Sequence, residues 1–174
     1  MSINASSTKD TQQVMQIHMD DVQNTFDTRL NGARILIVSA WLSAKLEMLH
    51  HIHSMGVKIV VLDMPDPNIQ QYMDSGLLEA HIEADIDDAD QFDAIMTAIH
   101  NSGLQFDGIA TLIEFYTPLT AKIAAALGLP GHPVKTATIA RNKYETRKLC
   151  EAAGIASPRF ALIDSPDDLV RCAE

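Results

Sequence analysis

The sequence predicts an α/β fold, a Rossmann-like doubly wound parallel sheet. Three observations carry that prediction. Two short apolar runs rich in β-branched residues, Ile35–Ala40 (ILIVSA) and Val57–Asp63 (VKIVVLD), are continuous rather than alternating. Strands covered on both faces read that way, as in parallel sheets. Between and after them lie stretches with helical spacing, most closed by a glycine. Strand, helix, glycine, strand is the order expected of right-handed crossovers.

The elements follow in chain order. Residues 1–32 are an N-terminal extension. Met1 to about Gln13 is small, polar and aperiodic, as disordered segments are. Val14, Val22, Phe26 and Leu30 then fall on a four-residue spacing, which predicts an amphipathic helix up to Asn31-Gly32. The α/β domain is placed at 33–154. Its first strand is Ile35–Ala40. Leu42 to Met55 is helical, with Leu42, Leu46, Leu49 and Ile52 on one side and Gly56 closing it. Val57–Asp63 is the second strand, and Pro65, Pro67 and Asn68 mark a loop. His81–Glu83 is a brief third strand. Ala89–Ser102 is a helix with Phe92, Ile95, Met96 and Ile99 inward. Gly108–Ile113 is the fourth strand. Helices follow at Pro118–Leu127, before Gly128, and at Lys143–Ala153, before Gly154. The two central strands are expected to be Ile35–Val38 and Ile59–Leu62.

Residues 155–174 read as a linker and the truncated start of another domain. Arg159–Ile163 is expected to be its first strand. Ser165-Pro166-Asp167-Asp168 then starts a helix, with Ser as cap, Pro in the first turn and acids against the dipole. The chain reaches only about two turns into that helix at ~3.6 residues per turn.

Composition bounds the function. The 174 residues carry a formal charge of −10, which argues against a nucleic-acid groove or an anionic membrane as partner. No apolar run approaches the roughly 20 residues of a bilayer span, and the N-terminus has no secretory apolar core. Cys150 and Cys172 have no CxxC spacing and read as reduced thiols, so the expected location is cytoplasmic.

Several motifs invite a function. A dinucleotide site needs glycines after the first strand, but that turn reads Ser39-Ala40-Trp41-Leu42-Ser43. Asp63, at the end of the second strand, then reads as a solvated carboxylate. His50, His51 and His53 give no i, i+4 pair and read as a polar helix face rather than a metal site. His132 sits in a turn. The loop Glu114-Phe115-Tyr116 falls at the carboxyl end of a parallel strand, where open α/β sheets bind ligands. A carboxylate followed by two aromatics can hold an ammonium group by charge and cation–π contact; the alternative is an acid favoured by a helix N-terminus. Lys143, within a cluster with Lys135, Arg141, Arg147 and Lys148, stands at a helix start, against the dipole. That small cost suggests another job for Lys143, such as binding a phosphate, with Arg141 as a second candidate for the cofactor; the alternative is an ordinary solvated lysine.

Three pieces in order, Leu127-Gly128-Leu129-Pro130-Gly131, Ala140-Arg141-Asn142-Lys143 and Ala153-Gly154-Ile155-Ala156-Ser157-Pro158-Arg159-Phe160, resemble the N-terminal (preATP-grasp) region of ATP-grasp ligases. The pattern there is a GLPG turn, an ARDK helix start and an AGVPxP crossover. Asn142 departs from it where Asp is usual. The Ile113-Glu114-Phe115 loop is most similar to the amino-acid ligases and carnosine synthase-like members. The resemblance implies a reaction in which ATP and Mg2+ convert a carboxylate to an acyl phosphate and an amine displaces phosphate. It implies small-molecule carboxylate and amine substrates, a C-terminal ATP-grasp domain as partner, and Lys143 reaching ATP across the junction; it allows a homodimer. The nucleotide-covering loop and the magnesium carboxylates belong further along the family pattern, so this chain alone is expected to be inactive. The rival readings are a non-enzymatic α/β binding or interaction module, and a complete small flavodoxin-like or NAD-linked protein.

Overall fold

The computed structural model describes residues 29–173. The amphipathic helix and disordered segment expected before Arg29 lie outside the described residues.

Four strands, β1 (Arg34–Val38), β2 (Lys58–Asp63), β3 (Ala80–Glu83) and β4 (Gly108–Ala110), form one parallel sheet in the order β3-β2-β1-β4. The central pair is the one the apolar runs predict. Leu36 sits opposite Val60 on one side and Ile109 on the other. Side chains alternate across a pleated strand, so each run feeds two cores. Leu36, Val38, Val60 and Leu62 pack with Ile95, Met96, Ile99 and Ile123 on one face. Ile37, Ile59 and Val61 pack with Leu42, Leu49, Leu77 and Leu78 on the other. Two buried faces explain why the runs are continuous rather than alternating.

Seven helices flank or extend this sheet among the described residues: α1 (Leu42–Ser54), α2 (Ile69–Asp74), α3 (Phe92–Asn101), α4 (Thr117–Leu127), α5 (Val134–Arg141), α6 (Lys143–Ala152) and α7 (Pro166–Ala173). None is long and apolar enough to cross a membrane. Short 3-10 turns, Ala89–Gln91 and Glu114–Tyr116, lead into α3 and α4. At the end of α1, Gly56 has φ +79 and donates to His53 O at 2.9 Å; a Cβ there would collide with the Asn31 side chain. Gly128 closes α4 with φ +68. Below the sheet, the Arg34 guanidinium donates to both Glu79 carboxylate oxygens at 2.6 and 2.7 Å. That bond is the main cause that holds the Glu79 carboxyl below its usual range.

The structure corrects several expectations. β1 ends at Val38 rather than Ala40, because Ser39 and Trp41 turn left-handed, with φ 54 and 42. β4 stops at Ala110 rather than Ile113. The Thr111 hydroxyl donates to Ile113 O and accepts from Ile113 N–H, both at 3.1 Å, which turns the chain away from the sheet. The Pro65–Asn68 loop runs into α2, whose six residues are too few to show a period. α5 was not expected either: VKTATIAR buries only Ala137 and so carries no apolar stripe to read. Arg159–Ile163 forms no strand. Its apolar character is real, but it pairs with no described strand, and Leu162 and Ile163 stay exposed. The helix start at Ser165 does form, with Asp168 N–H donating to the Ser165 hydroxyl at 3.3 Å.

Candidate functional site

The carboxyl ends of the strands bring four loops together. After β1, Ser39 is buried and Trp41 is exposed, both in left-handed backbone. Non-glycine residues there cost about 1–3 kcal/mol each and persist only where neighbours impose them. The neighbour is Asp63, at the end of β2. Its carboxylate accepts from Ala40 N–H at 3.0 Å and from Met64 N–H at 2.9 Å. The expectation of a solvated acid is therefore wrong: Asp63 is half-buried and clamps the β1–α1 turn.

After β4, the 3-10 turn aims its three residues differently. Tyr116 turns inward against the core, and its hydroxyl donates to Asp87 Oδ1 at 2.5 Å. Phe115 remains 59 % exposed and meets Tyr116 edge-on, with ring centroids 5.3 Å apart. The Arg141 guanidinium lies over the Phe115 ring, 5.1 Å from its centroid. Glu114 extends into solvent, 3.6 Å from Arg141 Nη1. Thus Asp87, Tyr116, Phe115, Arg141 and Glu114 form a continuous chain of contacts from the loop after β3 to the last residue of α5. Arg141 forms no hydrogen bond among the described residues, and its Nε is buried without a partner.

Burial, the Asp87 bond and the charges of Asp87 and Asp63 together push the Tyr116 hydroxyl up to about 12. A tyrosine ordinarily titrates near 10. The folded state therefore holds its proton more tightly than the unfolded chain. The stabilisation is whole below pH about 10 and is lost as pH rises through about 12. Tyr116→Phe should flatten the alkaline fall in urea midpoint across that window. A variant with the parental alkaline slope would show that Tyr116 is not the group responsible.

Lys143 is exposed at the first position of α6. Asn142 caps that helix, its Oδ1 accepting from Tyr144 N–H at 3.0 Å and Glu145 N–H at 3.1 Å. The Asn in place of Asp keeps the acceptor that an N-cap needs. An open recess of about 1000 Å³ lies between α6 and residues 154–162, where Tyr144 meets Phe160. His50, His51, His53 and His132 are exposed. No group of three or more His, Cys, Asp or Glu among the described residues could hold a metal.

Of the residues singled out from sequence, Glu114, Phe115 and Arg141 are brought together; Tyr116 joins them from the core side. Asp87 was missed, because one acid in the run Asp85-Ile86-Asp87-Asp88 looks like any other. The pairing of Arg141 with Glu114 was missed because it depends on α5, which has no sequence signal.

Residues 49–131 match the family model of the ATP-grasp N-terminal domain. Among solved structures, an L-amino acid ligase from Bacillus licheniformis has a TM-score of 0.62 at 23 % identity, covering 79 % of this chain and 34 % of its own. N5-carboxyaminoimidazole synthetase from Staphylococcus aureus, complexed with ADP, has 0.59 at 20 %, covering 82 % and 35 %. An ADP complex of N5-carboxyaminoimidazole ribonucleotide synthetase has 0.57 at 18 %, covering 82 % and 34 %. The chain thus spans about a third of the length of these structures. No curated protein matches it. The matched residues run from α1 to the turn after α4 and include the loop that presents Glu114, so this part of the α/β unit is similar to the ATP-grasp N-terminal domain.

Proposed function

We propose that the chain contributes the N-terminal domain of an ATP-dependent carboxylate–amine ligase of the amino-acid ligase type. The supporting observation is the ATP-grasp N-terminal match together with Glu114 standing exposed at the carboxyl end of β4. In this reading Glu114 receives the ammonium group of the amine substrate. Lys143, exposed beside the linker, points at the phosphates of ATP. An exposed ammonium on a helix start fits a phosphate, since it has no acidic neighbour to neutralise it among the described ion pairs. ATP would activate the carboxylate as an acyl phosphate. The described residues offer no carboxylate set for Mg2+, so its ligands are assigned to residues outside them. A cytoplasmic location and a C-terminal ATP-grasp domain as partner belong to the same proposal.

The test is ADP release by the full-length protein over a panel of carboxylates and amines. Release that requires both substrates supports the reading; release indifferent to the amine overturns it. The 174-residue chain alone should release none. Lys143→Ala should weaken ATP about ten- to a hundredfold, because a charge-assisted contact contributes roughly 1.5–3 kcal/mol. Calorimetry of ATP binding to the full-length protein and its variant checks it, and equal dissociation constants would return Lys143 to the solvated surface.

A further inference from the structure

The loop after β4 and the end of α5 bring two opposite charges together. Glu114 and Arg141 stand 3.6 Å apart, with side chains 75 % and 35 % exposed. A guanidinium has five N–H donors, and among the described residues Arg141 spends none in a hydrogen bond. Its Nε is buried without a partner. The Phe115 ring lies beneath the group in a cation–π contact, its centroid 5.1 Å from Cζ. Stacking of this kind holds a guanidinium in place while leaving its edge free for a planar acceptor.

A free α-amino acid bears an ammonium and a carboxylate on one carbon. It is the charge-inverted counterpart of the Glu114–Arg141 pair. Its ammonium can meet Glu114 while its carboxylate takes the open edge of Arg141, the partner that guanidinium geometry suits best. Phe115 also borders a cavity of about 190 Å³, mostly apolar, walled by Ile86, Phe92, Tyr116 and Leu119 together with the charged residues Asp87, Asp88 and Lys122. That is smaller than the ~300–1,000 Å³ of a whole-ligand pocket. It suits one apolar side chain.

We propose that Glu114, Phe115 and Arg141 bind a free α-amino acid with an apolar side chain, and that Arg141 holds its carboxylate. The proposal rests on the ligase reading for the role of that amino acid, which is the amine donor. Its carboxylate, neutralised by Arg141, is kept from activation. This moves Arg141 from the phosphate role that the sequence suggests to the substrate.

The experiment is a titration of the 15N-labelled chain, followed by NMR, with leucine, leucinamide, N-acetylleucine and glycine. Leucine should shift the amide signals of Glu114, Phe115 and Arg141 saturably, with a millimolar dissociation constant. Leucinamide and N-acetylleucine, each lacking one charge, should bind about tenfold or more weakly. Glycine should bind more weakly than leucine. Arg141→Gln should reduce leucine binding to the level of leucinamide and leave leucinamide unchanged. Leucinamide binding as tightly as leucine, or no saturable shift at these three residues, would overturn the proposal. The comparison of ligands on the unaltered chain decides the matter even if the variant folds poorly. ADP release by the full-length protein decides the ligase reading separately. Leucine binding without ligation sinks that reading alone, and ligation without a carboxylate preference at this site sinks only the inference.

Discussion

Val60→Asp is expected to abolish cooperative unfolding. Val60 is fully buried on central strand β2, opposite Leu36 on one neighbour and Ala80 on the other. Its side chain points into the core formed with α3 and α4. No cation is buried among the described residues, where Ser39 is the one buried polar side chain. An ionised carboxylate left unpaired in such a place costs several kcal/mol even after relaxation. A domain of this size has roughly 5–15 kcal/mol in total. The loss should appear as a broad, non-sigmoidal urea transition, or as an insoluble product. A soluble variant with a sharp transition near the parental midpoint would mean that Val60 does not occupy a closed core.

Asp63→Ala is expected to have the next largest effect on the fold. The carboxylate accepts two backbone N–H groups, from Ala40 and Met64. Hydrogen bonds to a charged acceptor contribute about 1.5–3 kcal/mol each. Part of the loss is offset, because Ser39 and Trp41 would be free to leave their left-handed conformations once the clamp is gone. A net loss of about 2 kcal/mol follows. Asp63→Asn keeps one acceptor and should lose about half as much. Chemical denaturation measures the loss, and amide hydrogen exchange at Ala40 locates it. A variant with parental stability and a still-protected Ala40 amide would show that the turn holds itself.

The same turn shows where sequence reasoning ran short. A glycine-free stretch after β1 argues against a dinucleotide fingerprint, because the glycines there serve backbone contact with a pyrophosphate. It says nothing of two side-chain-bearing residues forced left-handed, since that conformation is imposed from β2 across the sheet. The Glu114 loop was legible for a different reason: the strand-end position follows from topology, and topology follows from the order of elements. Tyr116 was legible as part of that loop, but not its inward turn. Nothing local distinguishes it from Phe115; the difference is that Asp87 stands within reach of one hydroxyl.

By itself the sequence determined which segments are strands at the centre of the sheet and that the sheet is parallel. These are properties of apolar runs, periodicity and spacing, and they are local. Only the tertiary structure decided that Arg159–Ile163 is not a strand, because strand formation needs a partner edge and not merely apolar residues. It alone decided that Asp63 is a clamp and that Arg141 faces Glu114 across the ring of Phe115. Each of those depends on residues far apart in the chain, 27 positions in the case of Glu114 and Arg141 (141 minus 114), meeting through packed elements whose placement no single stretch encodes.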